Sequence, residues 1–246
     1  TESVEVSNLT IVNGNITGGL YTGGLVGVMR GEVKQSTYTG RIDSNTNNIG
    51  GLVGLLIGNV SESFSDAYVT GDGPVASLVG KNIGNINESF SAGAVVAGDK
   101  AGGIVGRNDG EVSDVYSTAT IVDDGSGRGR LGAIAGNVKS GFISEAYWNS
   151  DTAGVNTGID QKDGSGSTAT ELSPSNIQGS SAQTNMDLDF SETWQTTYAH
   201  PKLSWQKSGS GTQDDPYQIY TCRDLQAMKN DKDAYYELAV DVDCSA

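Results

Sequence analysis

A five-residue pattern framed by small residues returns five times in the first 150 residues, as Gly23-Gly-Leu-Val-Gly27, Gly50-Gly-Leu-Val-Gly54, Ala76-Ser-Leu-Val-Gly80, Gly102-Gly-Ile-Val-Gly106 and Gly132-Ala-Ile-Ala-Gly136. The closing glycines lie 27, 26, 26 and 30 residues apart, a period that belongs to solenoids, propellers and other arrays. A unit this short has too little apolar surface to fold alone. It is stable only when stacked on its neighbours, so the chain is expected to build an elongated body in which each unit touches the next.

Within the unit, a second glycine follows at Gly31, Gly58, Gly84, Gly110 and Gly141, and two residues later comes Val33, Val60, Ile86, Val112 or Ile143. Next come Ser36-Thr37, Ser63-Phe64, Ser89-Phe90, Val115-Tyr116 and Ala146-Tyr147, and a β-branched residue closes the first four units at Ile42, Val69, Val95 and Ile121. Apolar runs are short, Ser, Thr and Val are frequent, and no stretch keeps a 3.6-residue period, so the unit reads as three strands separated by turns. The fold class is therefore all-β, a β-solenoid of five to six three-stranded coils pairing in register at about 4.8 Å. The glycines are expected to supply positive φ at corners and to let backbone approach backbone where they stack. On that basis Gly54 tolerates substitution less well than Gly71, which lies in a variable stretch.

Leu25, Leu52, Leu78, Ile104 and Ile134 point inward in this reading, as do Val33, Val60, Ile86, Val112 and Ile143. Alternation places Ser63, Ser65, Ala67 and Val69 on one face and Phe64, Asp66, Tyr68 and Thr70 on the other. We expect the small residues inside and the aromatic column Phe64, Phe90, Tyr116 and Tyr147 outside, covered by a later segment; the alternative makes the aromatics ordinary core after a bend.

Written as G-G-L-V-G, then G-x-V, then S-[FY]-S, the unit resembles the GLUG-motif repeats of bacterial and archaeal surface proteins, which include adhesins and IgA-cleaving metallopeptidases. Ala146-Tyr-Trp-Asn149 with Asp151-Thr-Ala-Gly154 is similar to that family's exit from its last coil. Met186-Asp-Leu-Asp-Phe190, Trp194 and His200-Pro-Lys-Leu-Ser-Trp205 resemble its post-solenoid segment, where Tyr-Pro is more usual than His200-Pro201. Gly211-Thr-Gln-Asp-Asp-Pro-Tyr-Gln-Ile219, Leu225-Gln-Ala-Met228, Tyr235-Tyr236 and Asp241-Val-Asp243 resemble the segment that opens a solenoid. The resemblance implies an architecture and no activity, because the repeat does no chemistry wherever it occurs. The HExxH zinc motif of the peptidases is absent, so their catalytic part is not here.

Formal net charge is −15 over 246 residues. That balance disfavours nucleic acid and anionic membrane surfaces as partners. A halophilic source and an ordinary acidic secreted protein both account for it. No run of 18 apolar residues occurs, so membrane insertion is not expected, and no signal peptide opens the chain, which reads as a mature form whose export signal has been removed. The two cysteines, Cys222 and Cys244, are a local pair of the kind that forms a disulfide in a secreted chain. Asn8, Asn15, Asn59 and Asn87 head N-glycosylation sequons.

Three segments follow: a solenoid over 1–149, an extended connector over 150–208 lying along it, and a disulfide-bearing helix–strand segment over 209–246 that caps or extends a solenoid. The connector is rich in Gly, Ser, Thr and Asp and cannot fold alone; Leu172, Ile177, Met186, Leu188, Phe190 and Trp194 are its anchors. The helix is expected where Thr221 and Asp224 form a capping box and Leu225 and Met228 share a face.

A hydrolase or lyase on this scaffold needs paired carboxylates on adjacent coils. Asp66 and Asp114 are the candidates, with Glu62, Glu88 and Glu145 in one repeat column, yet like charges stacked at about 4.8 Å repel and fit a solvated face better than a buried site. His200 lacks a nucleophile or metal partner nearby and reads as packing. No cofactor is required. Calcium is the one candidate ion, offered carboxylates by Asp214-Asp215, Asp241 with Asp243, Asp123-Asp124 and Asp187 with Asp189, none at EF-hand spacing.

The expected function is that of a non-catalytic extracellular structural protein, a surface adhesin or filament subunit. The alternatives are a polysaccharide-cleaving or polysaccharide-binding β-helix, the latter stacking sugars on Tyr68 and Tyr116. The chain begins at Val4-Glu-Val-Ser-Asn-Leu-Thr-Ile-Val12 as if inside a solenoid, leaving Val4, Val6, Leu9 and Ile11 on an open edge. The alternating strand with Tyr236, Leu238, Val240 and Val242 is a suitable cover, in cis on its own solenoid or in trans on the next copy, and a head-to-tail contact in trans does not close.

Overall fold

Equivalent residues of successive repeats lie side by side, because the strands of the repeat region pair in parallel with those one repeat away. Val33 pairs with Val60, Val60 with Ile86 and Ile86 with Val112. The computed structural model describes residues 4–163, 166–197, 199–206, 211–219, 222–230, 232–239, 242 and 244. It divides into two compact units, Thr1–Ser173 and Pro174–Ala246.

The first unit is a β-solenoid with three parallel sheets of twelve, five and six strands. The six-stranded sheet takes one strand from each turn, which counts six coils, over residues 5–29, 32–56, 59–82, 85–108, 111–138 and 142–162. Thr170–Leu172 then pairs with Ala146–Asn149 and starts a seventh. The repeats therefore run past 149, where the sequence reading ended them. Coil six lacks the glycine pentad, but its strand Ile159–Lys162 pairs with Ala135–Val138 through main-chain bonds that any side chain permits.

The interior is filled by columns of one residue per coil. Leu52, Leu78, Ile104 and Ile134 form one and Val33, Val60, Ile86, Val112 and Ile143 another, all buried. The small-residue column is inside as expected, and each of its ends carries a large ring: Tyr38, Ser65, Ser91, Ser117 and Trp148 stand in register. Tyr38 lies against Gly14 and Gly24 of coil one, and Trp148 against Gly158. The aromatic column also stacks, Phe64 on Phe90 at 4.7 Å and Phe90 on Tyr116 at 4.9 Å between nearly parallel rings. Its rings are buried, although none belongs to the apolar cluster inside the coils.

The corners depart from the expectation. The residue turned through positive φ after each valine column is Asn8, Gln35, Glu62, Glu88, Asp114 or Glu145, at φ between 45° and 54° and never glycine. Gly31, Gly58, Gly84, Gly110 and Gly141 do the second job instead: a Cβ on any of the last four would fall on the carbonyl oxygen of the glycine one coil before. A serine follows the left-handed corner and repairs the ladder that the corner breaks. The Ser36 amide donates to Ser63 Oγ and the Ser63 amide to Ser89 Oγ, each at 3.1 Å, while each hydroxyl donates to the carbonyl two residues before it. The serine of the repeat is thus a backbone surrogate, which satisfies an amide that would otherwise be buried without a partner.

The second unit holds a helix, Gly179–Asn185, an antiparallel pair of Trp194–Gln195 with Lys202–Leu203, and a parallel pair of Tyr217–Ile219 with Tyr236–Leu238. Helix Cys222–Ala227 and a 3-10 turn, Met228–Asn230, lie between the strands of the parallel pair. Ile177, Met186, Leu188 and Trp194 are buried in this unit and Phe190 is half-buried, while Leu172 is buried in the first unit. The later helix forms where expected with its faces reversed: Leu225 is exposed and Asp224 is buried, held at 3.1 Å by Lys202 Nζ. Thr221 lies outside the described residues.

Candidate functional site

The carboxylates of the repeat column share one backbone conformation. Glu62, Glu88, Asp114 and Glu145 share the left-handed corner, where Asn8 and Gln35 stand in the first two coils, so the column is defined by its conformation and tolerates neutral residues. Glu62 accepts from Gln35 at 2.7 Å and pairs with Lys34 at 3.0 Å, and Glu88 accepts from Asn87. These contacts relieve stacked negative charge, and the ion pair raises the Lys34 pKa. Asp66 is not part of that column. It lies in Phe64–Thr70 with Thr39 and Ala92 as its register neighbours. Of the rings proposed for sugars, Tyr116 is buried, which corrects its assignment to an accessible face, and Tyr68 is half-buried with the Arg41 guanidinium 4.4 Å above it. His200 is half-buried in a turn closed by the Thr197 hydroxyl, which donates to its carbonyl.

Cys222 and Cys244 form a disulfide with Cα atoms 5.6 Å apart. Asp214 and Asp215 are exposed in a turn that the Asp215 amide closes on Thr212, while Asp241 and Asp243 lie outside the described residues. Asp123, Asp124 and Asp189 spend carboxylate oxygens on amides of their own loops. Among the described residues no three His, Cys, Asp or Glu side chains gather as metal ligands do. Of the sequon asparagines, Asn8, Asn15 and Asn59 are exposed and Asn87 is half-buried.

The strand edges are the most distinctive surface. Among the described residues, Glu5–Ser7, Thr10–Thr17, Thr22–Gly23 and Val26–Met29 of coil one each pair with a single strand, in coil two. The interior columns are correspondingly open there: Val6, Ile11, Ile16, Leu25 and Val26 are only partly buried, whereas Val33, Ile42, Leu52 and Val53 one coil later are fully enclosed. At the far end of this unit Trp148, Ile159 and Leu172 are buried.

A second exposed apolar strand lies in the other unit. Tyr236–Leu238 pairs on one side with Tyr217–Ile219; Ile219 is buried while Leu238, its register partner, is 60% exposed. Eight of the eleven exposed large apolar residues among those described belong to these two places: Val4, Leu9, Leu20, Tyr21 and Val28 in coil one, Leu225, Tyr235 and Leu238 around the parallel pair. Tyr236 and Val242 are half-buried, and Val240 lies outside the described residues. Sequence alternation marked a strand in the region of Tyr236–Leu238. It did not reveal that the strand at 236–238 already has a partner in Tyr217–Ile219.

The family model for the GLUG motif matches residues 100–122, which run from the strand Ala101–Gly102 through Thr120–Val122. No curated protein and no solved structure matches the chain.

Proposed function

We propose that this GLUG-motif β-solenoid is a non-catalytic extracellular structural protein that grows head to tail by strand addition, as a surface filament or adhesin stalk does. The observation that carries this reading is exposed apolar surface at two strands, Val4 and Leu9 beside coil one and Leu238 on Tyr236–Leu238. Unpaired edges with uncovered apolar columns are sites of further pairing, and proteins normally cover or charge them. Coil one retains Val4 and Leu9 in that position. The parallel strand–helix–strand of the second unit resembles a solenoid opening, and the exposed Leu238 on its returning strand is apolar surface on which a first coil would stack. Growth of this kind joins two different surfaces of the same chain and does not close. An extracellular setting agrees with the disulfide and the acidic surface.

Sedimentation velocity over a range of concentrations, with electron microscopy of the same samples, tests it. The full chain is expected to give concentration-dependent species and linear particles, and Val4→Lys with Leu9→Lys is expected to leave a folded monomer. A full chain that sediments as a monomer at every concentration contradicts the reading. So does turnover of a polysaccharide that is lost in Asp114→Asn.

A further inference from the structure

We infer that the buried pair Asn82 and Asn108 is a register lock, which marks coils three and four and keeps a stack of near-identical coils from slipping by one. It acts within a single chain and does not depend on the head-to-tail reading above.

The repeat creates the problem that the pair solves. Several inward columns are interchangeable from coil to coil: Val60, Ile86 and Val112 in one, Leu52, Leu78 and Ile104 in another, Val53, Val79 and Val105 in a third, all buried. The closing glycines Gly54, Gly80 and Gly106 are 26 residues apart. Extruding one whole coil exchanges like for like at these columns, and the main-chain ladder forms as well with one coil as with another. A register set only by such columns is open to slippage and to swapping between chains.

One column is different. Met29, Leu56, Asn82, Asn108 and Val138 stand in register along the six-stranded sheet, and all five are buried. Asn82 Nδ2 donates to Asn108 Oδ1 at 2.8 Å and to the Glu111 carbonyl at 3.1 Å, while Asn82 Oδ1 accepts from the Gly84 amide at 3.0 Å. Asn108 Nδ2 donates to the carbonyls of Gly110 and Phe142, at 2.9 Å and 3.3 Å. Each amide thus closes its own corner and also reaches the following coil.

With coil four extruded, Val138 would lie against Asn82; with coil three extruded, Asn108 would lie against Leu56. The bonds inside each corner survive either slip, because they are made to residues of the same turn. The bond between the two asparagines does not. It leaves an enclosed amide group facing hydrocarbon, which costs far more than replacing both partners by apolar groups of similar shape. The pair therefore adds little to the native stack, where Leu56 fills the same column one coil away, and it penalises the slipped ones. A polar residue in an apolar seam fixes register in this way at some expense in stability.

A thiol reporter on an exposed column reads the slip. Asn59, Asn85 and Glu111 are exposed and in register, so positions 59 and 111 lie two coils apart. That is about 9.6 Å in the native stack and about 4.8 Å once coil four is extruded. Only the shorter separation admits a disulfide. The full chain carrying Asn59→Cys and Glu111→Cys is unfolded in urea, refolded and oxidised, and peptide mapping gives the fraction of chains joined between 59 and 111. Adding Asn82→Leu with Asn108→Leu should raise that fraction at least about fivefold while the urea midpoint stays level or rises. Adding Val138→Asn instead leaves the native pair in place but offers Asn82 a partner in the slipped stack, and it too should raise the fraction. An unchanged fraction in either variant overturns the inference. So does a double leucine variant that fails to refold or unfolds at lower urea, since the pair would then be a stabilising contact and not a lock.

Discussion

Gly54 and Gly71 are the same residue type, yet only one is demanded by its surroundings. A Cβ on Gly54 would lie 2.7 Å from Gly27 O and 2.8 Å from Asn48 O, which are main-chain atoms of a stacked ladder and cannot retreat. At Gly71 the nearest atoms are the side-chain carbons Ile49 Cγ1 and Val75 Cγ2 at 3.0 Å. Gly54→Ala is expected to cost about 3 kcal/mol in chemical denaturation and Gly71→Ala under about 1 kcal/mol, the difference between overpacking a backbone and nudging a side chain. Ser63→Ala removes the acceptor of the buried Ser36 amide and should cost about 1–3 kcal/mol. Burial pushes the Tyr38 phenol up to about 12 from its ordinary 10.0. The folded state then keeps a proton that the unfolded chain releases first. The stability tied to this group is full below pH 10 and is lost as pH rises towards about 12, and Tyr38→Phe should flatten that decline in urea midpoints. The glycines, serines and inward valines were legible because their period is strict. The left-handed corners were not, because Glu62, Glu88 and Glu145 carry no local mark of positive φ, a conformation more usual for Asn, Asp or Gly.

Coil six shows where pattern reading stops at the scale of elements. Residues 150–162 lack the pentad and are rich in polar residues, so they read as linker, yet Ile159–Lys162 completes the six-stranded sheet. Parallel stacking needs only a free ladder and a few inward apolar residues, and Ile159 supplies one in register with Ala135. Ile159→Asp should therefore destabilise the solenoid by about 2–4 kcal/mol, as an uncompensated charge in a closed interior does, whereas a linker residue would tolerate it. Thermal unfolding of that variant tests the assignment. The helix Gly179–Asn185 was missed for a related reason: only Ala182 is buried in it, which leaves no apolar period to read. The helix at Cys222–Ala227 was found from its period, but its packed residue is Asp224 and not Leu225, because the partner that reaches it is Lys202.

At the scale of the molecule the charge and the edges act against each other. Each copy carries a formal −15, so two copies repel at long range while their apolar edges attract at contact. Raising ionic strength from about 0.05 M to about 0.5 M shortens the screening length severalfold and should strengthen head-to-tail association, the reverse of an interface made by opposite charges. The period made the solenoid legible; the pairing of Tyr236–Leu238 with Tyr217–Ile219 depends on contacts between segments apart in sequence, which no local pattern encodes. The most direct test of the account places one cysteine on each edge, Val4→Cys in one preparation and Leu238→Cys in another, positions 67% and 60% exposed. The two are mixed in reductant-free buffer, their introduced cysteines still free thiols, with a short bis-maleimide and analysed by mass. The account predicts a covalent dimer containing one chain of each variant, forming faster than either homodimer. Failure to form that mixed dimer, or cross-linking confined within single chains when one chain carries both Val4→Cys and Leu238→Cys, would contradict assembly of one copy's strand on the next copy's first coil.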